Sequence, residues 1–163
     1  MRHKKTIKFL RKHIPDGSRI IDLGDRSVLS DKMNYYYSII RFNHDLDYHY
    51  AEIIPKSNSI FTSFQVFEHL FAPFNFLNAE SGKLVCSVPL KVWFSNAYWN
   101  DNDKRDRHYH EFEIKQFNAL LERTGWEIQD YEIWRTPDKL RFGIRPLLRF
   151  IFPSYYIVYA IKK

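Results

Sequence analysis

Arg19-Ile20-Ile21-Asp22-Leu23-Gly24 is the stretch that decides the fold. Its apolar run reads as a short buried strand, and the glycine at its end permits a sharp turn. Working outward, residues 3–13 set Ile7, Leu10 and Ile14 at helical spacing among lysines and arginines, and Pro15-Asp16-Gly17 ends that helix. A second helix is predicted over about 26–35 and a strand over 37–42. An acidic loop follows, Asn43-His44-Asp45-Leu46-Asp47. Residues 59–66 form another β-type run. The 67–78 stretch then turns helical, with Leu70, Phe74 and Leu77 on one side. Ser81-Gly82 marks a turn into a strand over 83–88 that Pro89 stops. Ile114, Phe117, Leu120 and Leu121 predict a helix closed by Thr124-Gly125, and strands follow over 126–134 and 155–161. Strands alternate with helices until two strands come without a long helix between them. The pattern predicts an α/β fold: a Rossmann-like, mostly parallel sheet with helices on both faces and an antiparallel pair at its C-terminal edge. Residues 1–163 read as a single domain.

Composition narrows the function classes. Hydrophobic residues at 45% and charged residues at 27% exclude global disorder. A net charge of +6 suits an acidic partner, although no nucleic-acid motif accompanies it. The single Cys86 forbids an intramolecular disulfide and a thiolate-only zinc site. No segment reaches the ~18 apolar residues that span a bilayer, and no apolar stretch follows the basic N-terminus. A cytoplasmic protein is expected. Aromatic residues, at 18%, suit core and sheet surface, and are also consistent with a pocket wall or a homo-oligomeric face.

In parallel sheets of this kind, ligands sit beyond the carboxyl ends of the strands near the reversal of strand order. That rule points to Asp22–Arg26, Asn43–Asp47, Gln65–His69 and Ser87–Leu90. Gly24 allows a ligand close to the backbone. Asp45 and Asp47 fall roughly two dozen residues beyond the first turn, the spacing at which a carboxylate grips a ribose in nucleoside-binding sheets.

Five stretches then come in one order: Ile20-Ile21-Asp22-Leu23-Gly24; Asp45-Leu46-Asp47; Val66-Phe67-Glu68-His69-Leu70-Phe71-Ala72-Pro73; Gly82-Lys83-Leu84-Val85-Cys86-Ser87-Val88-Pro89; and His110-Glu111-Phe112 leading to Thr124-Gly125-Trp126. In that order the chain resembles the class I S-adenosylmethionine-dependent methyltransferases, in the branch with a V-x-E-H-L-x-x-P segment. The resemblance implies a small-molecule or sugar-like methyl acceptor and S-adenosylmethionine as cofactor. Asp22 and Gly24 would border its methionine end, Asp45 or Asp47 its ribose, and Gln65 and Phe67 its adenine or the transfer face. His69 and His110 are the implied bases, while His108 and Glu111 lie over the substrate side. The chain departs from the family where Gly24, Arg26 and Val28 stand in place of Gly-x-Gly-x-Gly, which puts two side chains where the cofactor's amino-acid end would lie.

Three other readings follow from the same residues. One is a methyltransferase-like module that has lost cofactor binding. Another takes Asp45 and Asp47, with His44 and His49, as a metal site of a sugar-nucleotide transferase. A zinc site at His108 and His110 lacks a third ligand at definite spacing, so no metal ligands are assigned. The basic, aromatic stretch 139–152 repeats arginine at 141, 145 and 149, which suits either sheet cover or peripheral contact with an anionic membrane.

Overall fold

A computed structural model describes residues 2–53, 58–135, 148 and 150–163. Six strands form one sheet: β1 (Arg19–Leu23), β2 (Ser38–Phe42), β3 (Ile60–Phe64), β4 (Gly82–Pro89), β5 (Glu127–Trp134) and β6 (Tyr155–Lys162). Their spatial order is β2-β1-β3-β4-β6-β5. The first four are parallel, and β6 runs antiparallel to both β4 and β5. The expected α/β architecture, with its antiparallel C-terminal pair, is present. Strand order reverses at β1, because the chain returns from β2 across β1 to β3.

Alternating side chains on the central strands feed two cores. Tyr155, Ile157 and Tyr159 of β6 pack on one face with Val85 of β4 and with Phe9, Leu10 and Ile14, which are buried at or just beyond α1 (Arg2–His13). Leu29 and Met33 of α2 (Val28–Met33) join them. Tyr156, Val158 and Ala160 face the opposite core with Phe76 and Leu77 of α4 (Pro73–Ala79) and Phe117 and Leu121 of α5 (Ile114–Arg123). Helices therefore cover both faces. The indole N–H of Trp126 donates to the Leu77 carbonyl at 2.9 Å and ties the start of β5 to α4.

Two local readings change. Asn43–Asp47 is not all loop: Asp45 caps a short helix, α3 (Leu46–His49), by accepting from the Asp47 N–H at 2.9 Å. The single helix expected over 67–78 is a 3-10 turn (Phe67–His69) followed, after a break, by α4. Pro73 disfavours helical backbone at the residue before it, and Ala72 is accordingly non-helical, with φ −131° and ψ 64°. The helical face shifts with the break, so Phe74 is exposed and Phe76 buried. Residues 48–59 carry the end of α3 and a 3-10 turn (Tyr50–Glu52) among the described residues. Most of the 139–152 stretch, including the three arginines, lies outside the described residues. No helix among the described residues is long and apolar enough to cross a membrane.

Glu80, at the C-terminus of α4, is buried with one carboxyl oxygen lacking a hydrogen-bond partner. Burial pushes its carboxyl up to about 7, against a nearby but otherwise engaged Lys162. The native state thus holds a proton that the unfolded chain releases from about pH 4.5, and stability from this group falls as pH rises through 7. Glu80→Gln removes the penalty. The Tm advantage of the variant should grow between pH 5 and pH 8, by on the order of 5 °C. Parallel melting curves in calorimetry would reject this account if the advantage stayed constant.

Candidate active site

A cleft of about 740 Å³ opens at the carboxyl ends of β1, β2 and β3, within the size range of small-molecule sites. It lies at the reversal of strand order. Asp22, near the end of β1, is buried and accepts from the Thr62 hydroxyl at 2.6 Å across the β1–β3 pairing. Burial pushes its carboxyl up to about 6. Gly24 then turns with φ +108°, a conformation L side chains rarely adopt, and a Cβ there would meet the Val66 side chain at 3.0 Å. Arg26 lies along α2, its Nε donating to Asp31 at 2.9 Å, with the guanidinium largely in solvent. Val28 is exposed at the start of α2 and does not line the cleft.

The two acids after β2 do different work. Asp45 spends Oδ1 on its helix cap, while Oδ2 makes no hydrogen bond among the described residues; the side chain lines the cleft. Asp47 accepts from the Phe71 and Ala72 N–H groups, both at 2.8 Å, and so pins the break before α4. Hydrogen bonds to an ionised acceptor are the strong ones, worth about 1.5–3 kcal/mol each, less where solvent competes. Asp47→Ala should therefore cost about 2 kcal/mol net and lower Tm by roughly 4–8 °C. Asp47→Asn, which keeps one acceptor, should lose about half as much. Equal Tm values for the wild type and Asp47→Ala in thermal melts would remove this role.

After β3 the backbone bends sharply. Gln65 takes φ +61°, unusual outside glycine, and its buried Nε2 has no hydrogen-bond partner. Both Gln65 and Val66 line the cleft. Phe67 does not: it is fully buried against Phe76 and Phe117, with ring centres 6.0 and 6.2 Å away. His69 lines the cleft, and its Nδ1–H donates to the Arg107 carbonyl at 3.0 Å. That bond fixes the tautomer and leaves Nε2 as an acceptor. Burial lowers the pKa of His69, which keeps the ring neutral near pH 7. Glu68 is fully buried, neither of its carboxyl oxygens has a partner, and burial pushes its carboxyl up to about 8.

The remaining expected site residues fall behind or beside this cleft. His108 sits edge-on to His69, ring centres 4.8 Å apart, and burial lowers its pKa as well. His110 donates from Nε2 to the Phe71 carbonyl at 3.2 Å and, with Glu111, lines a second hollow of about 520 Å³ next to Phe74. The structure thus gathers Asp22, Gly24, Asp45, Asp47, Gln65 and His69 in one cleft. Phe67 goes to the core, and His110 and Glu111 go to the neighbouring hollow. The suggested Asp45–Asp47 metal pair is not arranged as one, since the two carboxylates are turned to separate backbone groups. Around that helix the side chains that meet are His44, His49 and Glu52. Sequence reading missed Asp103, Lys104, Arg105, Asp106 and Tyr109 as residues of the cleft wall, and the complete burial of Glu68. The one available signal for Glu68 was its place between Phe67 and Leu70.

No family model and no curated protein matches the chain by sequence. Solved structures match it by shape. The methyltransferase found in complex with the Trm112 methyltransferase activator of Haloferax volcanii aligns with a TM-score of 0.67 at 11% identity, over 98% of this chain and 90% of that one. The 1,6-didemethyltoxoflavin-N1-methyltransferase of Burkholderia thailandensis, solved with S-adenosylhomocysteine, gives 0.62 at 13% identity, over 99% of this chain and 78% of that one. The [4+2]-cyclase SpnF gives 0.59 at 12% identity, over 98% and 80%. Such identities establish a shared fold. The cyclase among them means the fold by itself does not fix the reaction.

Proposed function

We propose that the cleft binds S-adenosylmethionine and that the protein transfers its methyl group to a small, sugar-like or other hydroxyl- or amine-bearing acceptor. The observation that carries this reading is one cleft at the strand-order reversal lined by Asp45, whose Oδ2 makes no hydrogen bond among the described residues, and by Gln65, whose buried Nε2 also lacks a partner. An orphaned buried amide is costly unless a ligand completes it. These residues fit the cofactor: Asp45 can accept from ribose hydroxyls, Gln65 can donate to a ligand acceptor, and Gly24 admits a group close to the backbone. When bound, S-adenosylmethionine supplies an electrophilic methyl group on a sulfonium. What remains for the protein is alignment of the acceptor, exclusion of water and acceptance of a proton. His69, neutral and with Nε2 unprotonated, is the acceptor-side group in the cleft.

Titration calorimetry with S-adenosylmethionine and S-adenosylhomocysteine tests the reading. Saturable 1:1 binding is expected, and Asp45→Ala should weaken it at least tenfold, about 1.4 kcal/mol, with the protein still folded. If about 1 mM of either ligand produced no heat and no thermal stabilisation, the architecture would stand without this activity.

A further inference from the structure

Behind the cleft-facing ring of His69, three metal-ligating side chains converge around a carboxyl group that nothing satisfies. Glu68 stands in the middle of the 3-10 turn, fully buried, with both oxygens lacking hydrogen-bond partners. His69 Nε2 is 4.0 Å from Glu68 Oε1. One ligand atom each from Glu68, His69 and His108 lies within 4.8 Å of the other two. Donors bound to one cation at about 2.0–2.2 Å sit roughly 3–4 Å apart, so the most widely spaced pair closes by about 1–2 Å when the set is filled.

The surroundings hold this geometry in place. The carbonyl of Glu68 accepts from the N–H groups of Tyr109 and His110 at 2.8 and 3.2 Å, and the His108 N–H donates to the Tyr98 carbonyl at 2.9 Å. These bonds lock the segment that carries His108 onto the turn that carries Glu68 and His69. The Nδ1–H of His69 is already committed to the Arg107 carbonyl. A backbone carbonyl on the far nitrogen is the orienting contact that metal-bound imidazoles characteristically make. A buried carboxyl without a donor is expensive, and a cation is the partner that would offset that cost.

We propose that Glu68, His69 and His108 bind a first-row divalent cation, such as Zn²⁺, Mn²⁺ or Fe²⁺, with its open coordination positions toward the cleft beside His69. Two imidazoles and one carboxylate suit these ions better than Mg²⁺ or Ca²⁺, which prefer all-oxygen shells. Three protein ligands leave room for an oxygen of a bound hydroxyl- or carboxylate-bearing molecule. That this molecule is the methyl acceptor rests on the function proposed above; the cation site itself does not. In this arrangement His69 Nε2 holds the cation instead of taking a proton: the cation polarises the bound oxygen and lowers the pKa of its proton, which leaves to water, and His69 serves as base only in the cation-free protein.

The trio His44, His49 and Glu52 supplies an internal control. It is also a metal-competent grouping, but it lies at the surface and His49 Nδ1 already pairs with Glu52 at 2.7 Å. Chelator-treated full-length protein is titrated with Zn²⁺ by calorimetry and with Co²⁺ by visible absorption. One equivalent should bind to the wild type and to the His44→Asn/His49→Asn double variant. His108→Asn should weaken binding at least tenfold, and Glu68→Gln likewise. His108 is only partly buried, so its variant decides the matter if Glu68→Gln fails to fold. Wild-type affinity in folded His108→Asn, loss of binding in the double variant, or no binding to the folded wild type would each overturn the site. S-adenosylhomocysteine titrations on the same samples separate the two ideas: cation binding without nucleoside binding refutes only the methyl-transfer reading, and the converse refutes only the cation.

Discussion

Gly82→Ala is expected to abolish the cooperative thermal transition and to leave little soluble protein. Gly82 opens β4 with φ +122°, and a Cβ there would stand 2.3 Å from the carbonyl oxygen of Ser59 and 3.2 Å from that residue's carbonyl carbon and amide nitrogen. The obstacle is backbone, which cannot rotate aside as a side chain would. It is also held in place, because the Lys83 N–H donates to the same Ser59 carbonyl at 2.9 Å at the start of the β3–β4 pairing. Relieving the clash means separating two central strands. A loss above about 4–5 kcal/mol would consume most of the stability of a typical domain. Gly17→Ala is the natural contrast: its φ is +84°, but no atom lies within 4 Å of the added methyl. Only the conformational penalty applies there, about 1–2 kcal/mol. Circular dichroism melts of both variants are the measurement, and a Gly82→Ala protein as stable as Gly17→Ala would refute the steric argument.

Gly24→Ala should have its largest effect on ligand binding. The added methyl would press on the Val66 side chain at 3.0 Å, from a backbone that alanine tolerates poorly. Val66 and residues 22–27 line the same cleft, and the Gly24 N–H anchors the turn to the Phe42 carbonyl at 2.9 Å. Shifts of a few tenths of an ångström on both walls should raise the Kd for S-adenosylhomocysteine at least tenfold, while Tm falls by about 2–8 °C. An unchanged Kd in calorimetry would mean that the turn does not support the ligand.

Much of the sheet was legible because its strands are apolar enough to stand out: Ile20-Ile21 in β1, Leu84 through Val88 in β4 and Ile157-Val158 in β6. The alternation of these runs with helical spacing carried the architecture. Contacts distant in sequence were not legible. The helix expected over 67–78 breaks partly because Asp47, more than twenty residues earlier, holds the N–H groups of Phe71 and Ala72. The place of Phe67 turns on a 3-10 turn after a left-handed Gln65, which sends Val66 to the cleft and Phe67 to the core. Neither apolar pattern nor spacing encodes that twist. Glu68 looked like an ordinary acid near a helix start; spacing does not encode that the loop bearing His108, some forty residues on, docks on its backbone carbonyl through the Tyr109 and His110 N–H groups.

The position of β6 bears on how the chain assembles during translation. Residues 155–162 fill the gap between β4 and β5, which make no pairing with each other. While the ribosome still shields that segment, β4 presents a bare edge and β5 has nothing to pair with. The N-terminal strands can associate early, but two of the six strands must wait for emergence of one late, largely apolar stretch. Nascent chains stalled before residue 155 should therefore be markedly more prone to chaperone capture than chains stalled behind an added C-terminal linker long enough to bring residue 162 out of the ribosome.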